Sequence, residues 1–143
     1  MLEEDLSKKD ICEIRTYDET STNISQSDFY SFFRKFHFKY LEKYNSLGYI
    51  QVTEDTGYML LRYKTGDYVK KHVDTSSDQH RTLSCSLILN DDYEGGEITF
   101  FDGQIKPNLK RGDLLIFPSS FTYPHQVLPV TSGTRYSIIT WIR

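Results

Sequence analysis

The hydrophobic pattern of the chain changes period once, near Gly48, and that change limits the fold more than any other feature. Before it, Phe29, Phe32, Phe33, Phe36, Tyr40, Leu41 and Tyr44 recur at spacings of three and four, which draws an apolar stripe along one side of a helix. Ser25 or Ser27 can cap the start of that helix and Gly48 its end. After it, apolar residues alternate in short runs: YMLLRYK, YVKKHVD, TLSCSLILN, GEITFF, QIKP, DLLIFP, HQVLPV and RYSIITWIR. Between them, YKTGD, NDDYEGG, KRGD and TSGT have the composition of turns. One helix followed by these strands predicts a mainly β fold, a small sandwich or barrel with the helix packed on its outside. Met1 to Thr22 is polar apart from a patch at Ile11–Ile14 that reads as an early strand.

The chain has 143 residues, 15% of them aromatic, which suits one buried core. We expect a single domain over 1–143, with residues 1–48 as an N-terminal segment and supporting helix and residues 58–143 as the strand-rich core. A net charge of −3 is not the basic footprint of a general nucleic-acid binder. The opening MLEEDLSKKD has no apolar signal region and no later run is long enough to span a bilayer, so a soluble, cytoplasmic protein without membrane contacts is expected. Cys12 and Cys85 lie far apart and form no CxxC pair, against a disulfide framework or a thiolate zinc site. Nothing in the pattern specifies an oligomer, and a monomer is sufficient.

His72 and Asp74 stand two residues apart in a run that reads as a strand, where side chains at i and i+2 leave from the same face. Such a pair is either an ion pair or two-thirds of a metal site. His125, at the start of the seventh strand-like run, can complete it, because the second and seventh strands of a rolled sheet can be neighbours. Two imidazoles and one carboxylate on one side of a metal make the facial triad of non-haem iron(II). His125 alone supports a structural and a ligand reading equally. His80 is a rival third ligand, although its polar loop TSSDQHR favours a solvated side chain, and His37 on the helix reads as packed or surface.

The last strand adds a second clue. Alternation places Arg135, Ser137, Ile139 and Trp141 on one face, and a guanidinium with a hydroxyl two residues along is a cradle for a carboxylate.

Together, His72-x-Asp74, YEGGEITFF, KRGDLLIFPSS, His125 and GTRYSIITW resemble the Fe(II)- and 2-oxoglutarate-dependent dioxygenases, specifically the prolyl 4-hydroxylase-like branch. The likeness runs from Tyr58 to Arg143. It implies a double-stranded β-helix, a jelly-roll barrel with the metal in its mouth. It implies His72, Asp74 and His125 as the iron ligands, and Arg135 as the residue that grips the far carboxylate of 2-oxoglutarate, with Ser137 beside it. It also implies Tyr63 and Trp141 as aromatic walls of that pocket. Fe(II) would be the metal, 2-oxoglutarate and O2 the cosubstrates, and ascorbate an optional reductant. Two positions depart from the family. A tyrosine common three residues before the ligand histidine is Val69 here, with Tyr68 one place away and facing the site only if the strand alternates regularly into His72. A third-strand tyrosine is replaced by Ile88, for which Ser84 or Ser86 with water can substitute.

The resemblance implies hydroxylation of a C–H bond, on a prolyl residue of a peptide or protein, with succinate and CO2 as coproducts. The same chemistry on a free amino acid or other small molecule is the first alternative, and a non-catalytic jelly-roll binding protein the second. A zinc hydrolase could use the same triad but leaves Arg135 without a role. The loop Thr75–Arg81 and the segment before the first strand are candidate substrate walls. Gly95–Glu97 reads as a turn and strand start, and Arg111–Asp113 as a turn rather than an adhesion motif.

Overall fold

The computed structural model describes residues 54–143 without a break, together with Ser7–Lys8, Lys35, Lys39, Leu41, Glu42 and Ser46. The patch at Ile11–Ile14, Cys12, His37, the helix caps and all of the apolar stripe except Leu41 lie outside the described residues. Lys35, Lys39, Leu41 and Glu42 are helical. Leu41 is fully buried against Leu83, Cys85 and Ile142.

Among the described residues there are ten strands, in chain order β1 Ser7–Lys8, β2 Met59–Lys64, β3 Tyr68–His72, β4 Leu83–Ile88, β5 Glu94–Gly95, β6 Ile98–Phe100, β7 Leu114–Pro118, β8 His125–Val127, β9 Val130–Ser132 and β10 Thr134–Ile142. They form two antiparallel four-stranded sheets, ordered β1-β3-β8-β6 and β2-β10-β4-β7, and a small β5-β9 pair. From β2 onward the strands of the two large sheets alternate between them along the chain: β2, β4, β7 and β10 belong to one sheet and β3, β6 and β8 to the other. Every pairing therefore joins segments distant in sequence.

The sheets face each other across two apolar clusters. Leu61 and Tyr63 of β2 pack on Val69 of β3 and Val127 of β8, and Ile98 and Phe100 of β6 pack on Phe117 of β7. Strand β4 is covered on both sides: Ser84 and Ser86 line the space between the sheets, while Leu83 and Cys85 meet Leu41. That double burial explains why β4 reads as a nearly continuous small and apolar run.

Three sequence-based boundaries change. Strand β3 stops at His72, so Asp74 lies beyond the strand rather than on it. QIKP forms no strand: Ile105 makes a single bridge to Phe100, because a tight turn closes first, with the Gly103 N–H bonded to the Phe100 carbonyl and that of Gln104 to Phe101. HQVLPV splits into β8 and β9 around Pro129, which has no N–H to extend a ladder and whose carbonyl instead accepts from Gly96. The short strands β1 and β5 carry no periodic signal. Gly95 pairs in β5 with φ +72, where an added Cβ would stand 2.3 Å from the Pro129 carbonyl oxygen, so no side chain fits there. Arg111–Asp113 is a turn, with Asp113 accepting from the Lys110 N–H at 2.7 Å.

Candidate metal centre

Strand β3 pairs with β8 so that His72 lies directly opposite His125. The pairing thus joins two residues 53 positions apart, and their ring centroids sit 4.4 Å from each other. Asp74 curls back from the end of β3 toward both rings. His72 Nε2 is 3.2 Å from Asp74 Oδ1, and His125 Nε2 is 3.5 Å from Asp74 Oδ2. The three donor atoms lie within 4.8 Å of one another. Exposed His80 is not among them.

The ring orientations follow from the backbone. His72 Nδ1 is 2.8 Å from the Lys70 carbonyl oxygen and His125 Nδ1 3.1 Å from that of Tyr123. A carbonyl can only accept, so each Nδ1 carries a proton and donates. In the neutral ring this leaves a lone pair on Nε2, the tautomer a metal requires. Burial lowers the pKa of His125, against the raising effect of Asp74, and favours that neutral form. With both rings neutral, two lone pairs and a carboxylate at these distances repel unless a metal cation lies among them; without one, a ring proton on Nε2 has to bridge to Asp74. The donor set therefore fits a divalent metal of the N,O-binding type, iron(II) included.

Asp74 is kept ionised. Burial works against its charge, but His72, the nearby His125, and hydrogen bonds from Ser84 and Trp141 outweigh it and hold the carboxyl well below the usual carboxylate range. Ser84 Oγ donates to Asp74 Oδ2 at 2.5 Å. Phe117 stands edge-on to His125 at 4.7 Å and Phe100 lies 5.7 Å away, an apolar wall that keeps water from that side. His125 is 5% exposed and His72 27%, so the centre opens on the His72 side.

The same cavity continues to Arg135, Ser137 and Tyr63. Arg135 is 3% exposed, donates to Ser137 Oγ at 3.1 Å and lies 4.9 Å over the Tyr63 ring. Register explains the contact, because Arg135 of β10 sits directly across from Tyr63 of β2. Burial raises the Tyr63 pKa, partly offset by Arg135, so the phenol remains a donor. Gly96 makes room for the arginine stem: a Cβ there would approach Arg135 Cδ to 3.1 Å. Among the described residues, no carboxylate forms an ion pair with Arg135.

All seven residues singled out in the sequence, His72, Asp74, His125, Arg135, Tyr63, Ser137 and Trp141, line this one cavity. Tyr68 does not, and Val69 does. The register of β3 against β8 slips between Val69 and His72. That bulge turns Val69 and His72 to the same side and takes Tyr68 out of phase. Ser84 and Ser86 both line the cavity, and the Ser84 hydroxyl is already engaged by Asp74. Ile88 borders a neighbouring groove, which Arg135 also reaches. The sequence reading gave no individual role to Arg81, within the loop Thr75–Arg81, or to Ser119, within KRGDLLIFPSS. Arg81 Nη1 donates to the Asp74 carbonyl at 3.0 Å and its guanidinium lies 3.6 Å over Trp141. Its position at the end of a loop that begins beside Asp74 was the only available signal.

Among the described residues no helix is long and apolar enough to cross a membrane. A family model described as the 2OG-Fe(II) oxygenase superfamily matches residues 58–143. A PKHD-type hydroxylase of Shewanella oneidensis is 42% identical over 92 residues, covering 57% of this chain and 40% of that protein. The chain thus spans less than half the length of the curated relatives it matches. The crystal structure of a Pseudomonas putida prolyl-4-hydroxylase matches with a TM-score of 0.65 at 25% identity, covering 88% of this chain and 68% of that one. A Trichoplax adhaerens prolyl hydroxylase, in complex with a hypoxia inducible factor oxygen degradation domain peptide, matches with a TM-score of 0.59 at 25% identity over 73% of this chain and 55% of that one. With the family match running through the strands that build the His-Asp-His cluster and the buried arginine, the chain belongs to the 2OG-Fe(II) oxygenase superfamily.

Proposed function

We propose that the chain is one domain whose residues 58–143 form a double-stranded β-helix and act as an Fe(II)- and 2-oxoglutarate-dependent hydroxylase of prolyl residues in peptides or proteins. His72, Asp74 and His125 hold the iron, and Arg135, with Ser137 and Tyr63, holds the far carboxylate of 2-oxoglutarate. The alternation of strands between two facing sheets supports the barrel. The observation that carries the function is Arg135, a buried cation in the triad's own cavity with no carboxylate partner among the described residues. An uncompensated buried charge costs several kcal/mol, so the site is built for an anionic ligand.

When bound, the iron supplies activation of O2 coupled to oxidative decarboxylation of 2-oxoglutarate, yielding succinate, CO2 and a hydroxylated C–H bond. The chain's own residues bind, orient and exclude water. The guanidinium fork of Arg135 pairs with a carboxylate in a plane, the Tyr63 hydroxyl adds a donor, and Phe100 and Phe117 close the far wall. The substrate enters on the half-open His72 side, and Trp141, stacked under Arg81, lines the same cavity. A peptide is favoured because two of the similar solved structures are prolyl hydroxylases, one of them holding a peptide.

Succinate formation from 2-oxoglutarate, with Fe(II) and separately with Zn(II), tests the chemistry. A panel of proline peptides, free proline, lysine peptides and single-stranded oligonucleotides, read by mass for one added oxygen, tests the substrate. Fe(II)-dependent succinate and oxygen on the proline peptides are expected. Arg135→Lys keeps the charge but loses the fork, and raises the KM for 2-oxoglutarate by about tenfold or more while iron affinity stays within about twofold. Oxygen on free proline or another class alone overturns the peptidyl-prolyl reading. Absence of succinate under every condition overturns the enzyme.

A further inference from the structure

Ser84 and Ser119 are two buried hydroxyls, 3% and 1% exposed, 35 residues apart in sequence. Ser84 lies on β4 and Ser119 directly after β7, and these strands pair antiparallel. Their Oγ atoms are 2.7 Å apart. Ser84 Oγ is also 2.5 Å from Asp74 Oδ2, in the range of a charge-assisted O–H···O⁻ bond. An ionised carboxylate cannot donate, so the single Ser84 proton goes to Asp74. Ser84 must then accept from Ser119, which makes the chain of donation Ser119 to Ser84 to Asp74 directional.

The segment after Asp74 is tied to the same place. The Ser119 carbonyl accepts from the Thr75 N–H at 3.1 Å, and the Ser119 N–H donates to the Thr82 carbonyl at 3.0 Å. One residue thus anchors the backbone beside Asp74 and, through Ser84, the carboxylate of Asp74 itself.

We propose that Ser119 and Ser84 form a two-hydroxyl relay that sets the rotation of the Asp74 carboxylate, and that both are positioning residues of the metal centre. A carboxylate free to spin about its last torsion presents its oxygens in many directions. The relay holds Oδ2 and leaves the carboxylate plane in one orientation before any metal arrives. Ser84 is thereby excluded as a partner for 2-oxoglutarate, which leaves that role to Ser86. The inference rests on the metal-site reading above.

Calorimetric titration of the apo-protein with Co(II), a redox-stable probe, tests it alongside the melting temperature of each apo-variant. With wild type binding Co(II), Ser84→Ala is expected to weaken the metal about tenfold, within the span usual for partners of metal ligands. Ser119→Ala weakens it less, in the same direction. The double variant binds no more weakly than Ser84→Ala, because Ser119 acts through Ser84. Ser84→Thr, which keeps the hydroxyl, restores affinity, and 2-oxoglutarate affinity measured at saturating metal does not change in any of them. Unchanged Co(II) affinity in Ser84→Ala, or additive losses in the double variant, overturns the relay. A lowered melting temperature with unaltered affinity does so too. Should Ser84→Ala not fold, Ser119→Ala and Ser84→Thr decide by the same criteria. Failure of wild type to bind Co(II), with Asp74→Ala behaving identically, overturns the metal site itself and is thereby distinguished from failure of the relay.

Discussion

Single atoms decide what the site residues can do. An imidazole and a carboxylate can be read from the sequence, but the carbonyls of Lys70 and Tyr123 select which nitrogen of each ring faces Asp74. A residue outside the chemistry shows the same dependence on surroundings. Cys85 is packed under the helical Leu41, and burial pushes its thiol up to about 12 from an ordinary value of 9.0. The folded protein therefore keeps a proton that the unfolded chain loses. The sign follows directly: this contribution to stability is complete below about pH 9 and disappears as pH rises toward about 12. The unfolding free energy from urea titration should fall between pH 8 and about 10.5, by on the order of 2 kcal/mol more in wild type than in Cys85→Ala. Equal slopes in the two proteins would show that the thiol is not responsible.

At the scale of the element, β3 shows where a periodic reading stops working. Strict alternation puts Tyr68, Lys70 and His72 on one face, yet the bulge before His72 gives Val69 the inward position. A bulge adds one residue without changing composition, so no two-residue pattern reports it. Val69 is 7% exposed and packs on Leu61, Tyr63 and Val127. Val69→Ala should destabilise the fold by about 1–3 kcal/mol. Tyr68→Phe should cost less than about 0.5 kcal/mol and leave 2-oxoglutarate affinity unaltered, since Tyr68 is outside the cavity. Chemical denaturation of both variants checks the pair, and a large loss of cosubstrate affinity in Tyr68→Phe would restore regular alternation. Strand β10 is the contrary case. Its nine residues keep register with β2 and β4, and Arg135, Ser137, Ile139 and Trp141 face the cavity as their spacing indicates.

For the whole molecule, the proposed metal and cosubstrate sites span the two sheets, because His72, Asp74 and His125 lie with one sheet and Arg135, Ser137 and Tyr63 with the other. Ligands that bind only the folded state stabilise it, by about 2.7 kcal/mol at a hundredfold excess over Kd. At this chain length that corresponds to a rise in Tm of about 8 °C. We expect that rise with Mn(II) and 2-oxoglutarate together, and its loss in Asp74→Ala; an equal rise in the variant would place the ligands elsewhere. The sequence by itself determined the residue types, the change from helical to strand period and the cavity-facing stripe of the last strand, since each depends on neighbours a few positions apart. It also carried the family, through motifs whose residues survive any register. Only the tertiary structure decided that His72 lies opposite His125, that Val69 rather than Tyr68 turns inward, and that Ser84 and Ser119 stand behind Asp74. The His72–His125 pairing crosses 53 residues of chain and the Ser84–Ser119 contact 35. They depend on strand order, register and the loops that close them, and local periodicity carries no information about any of the three.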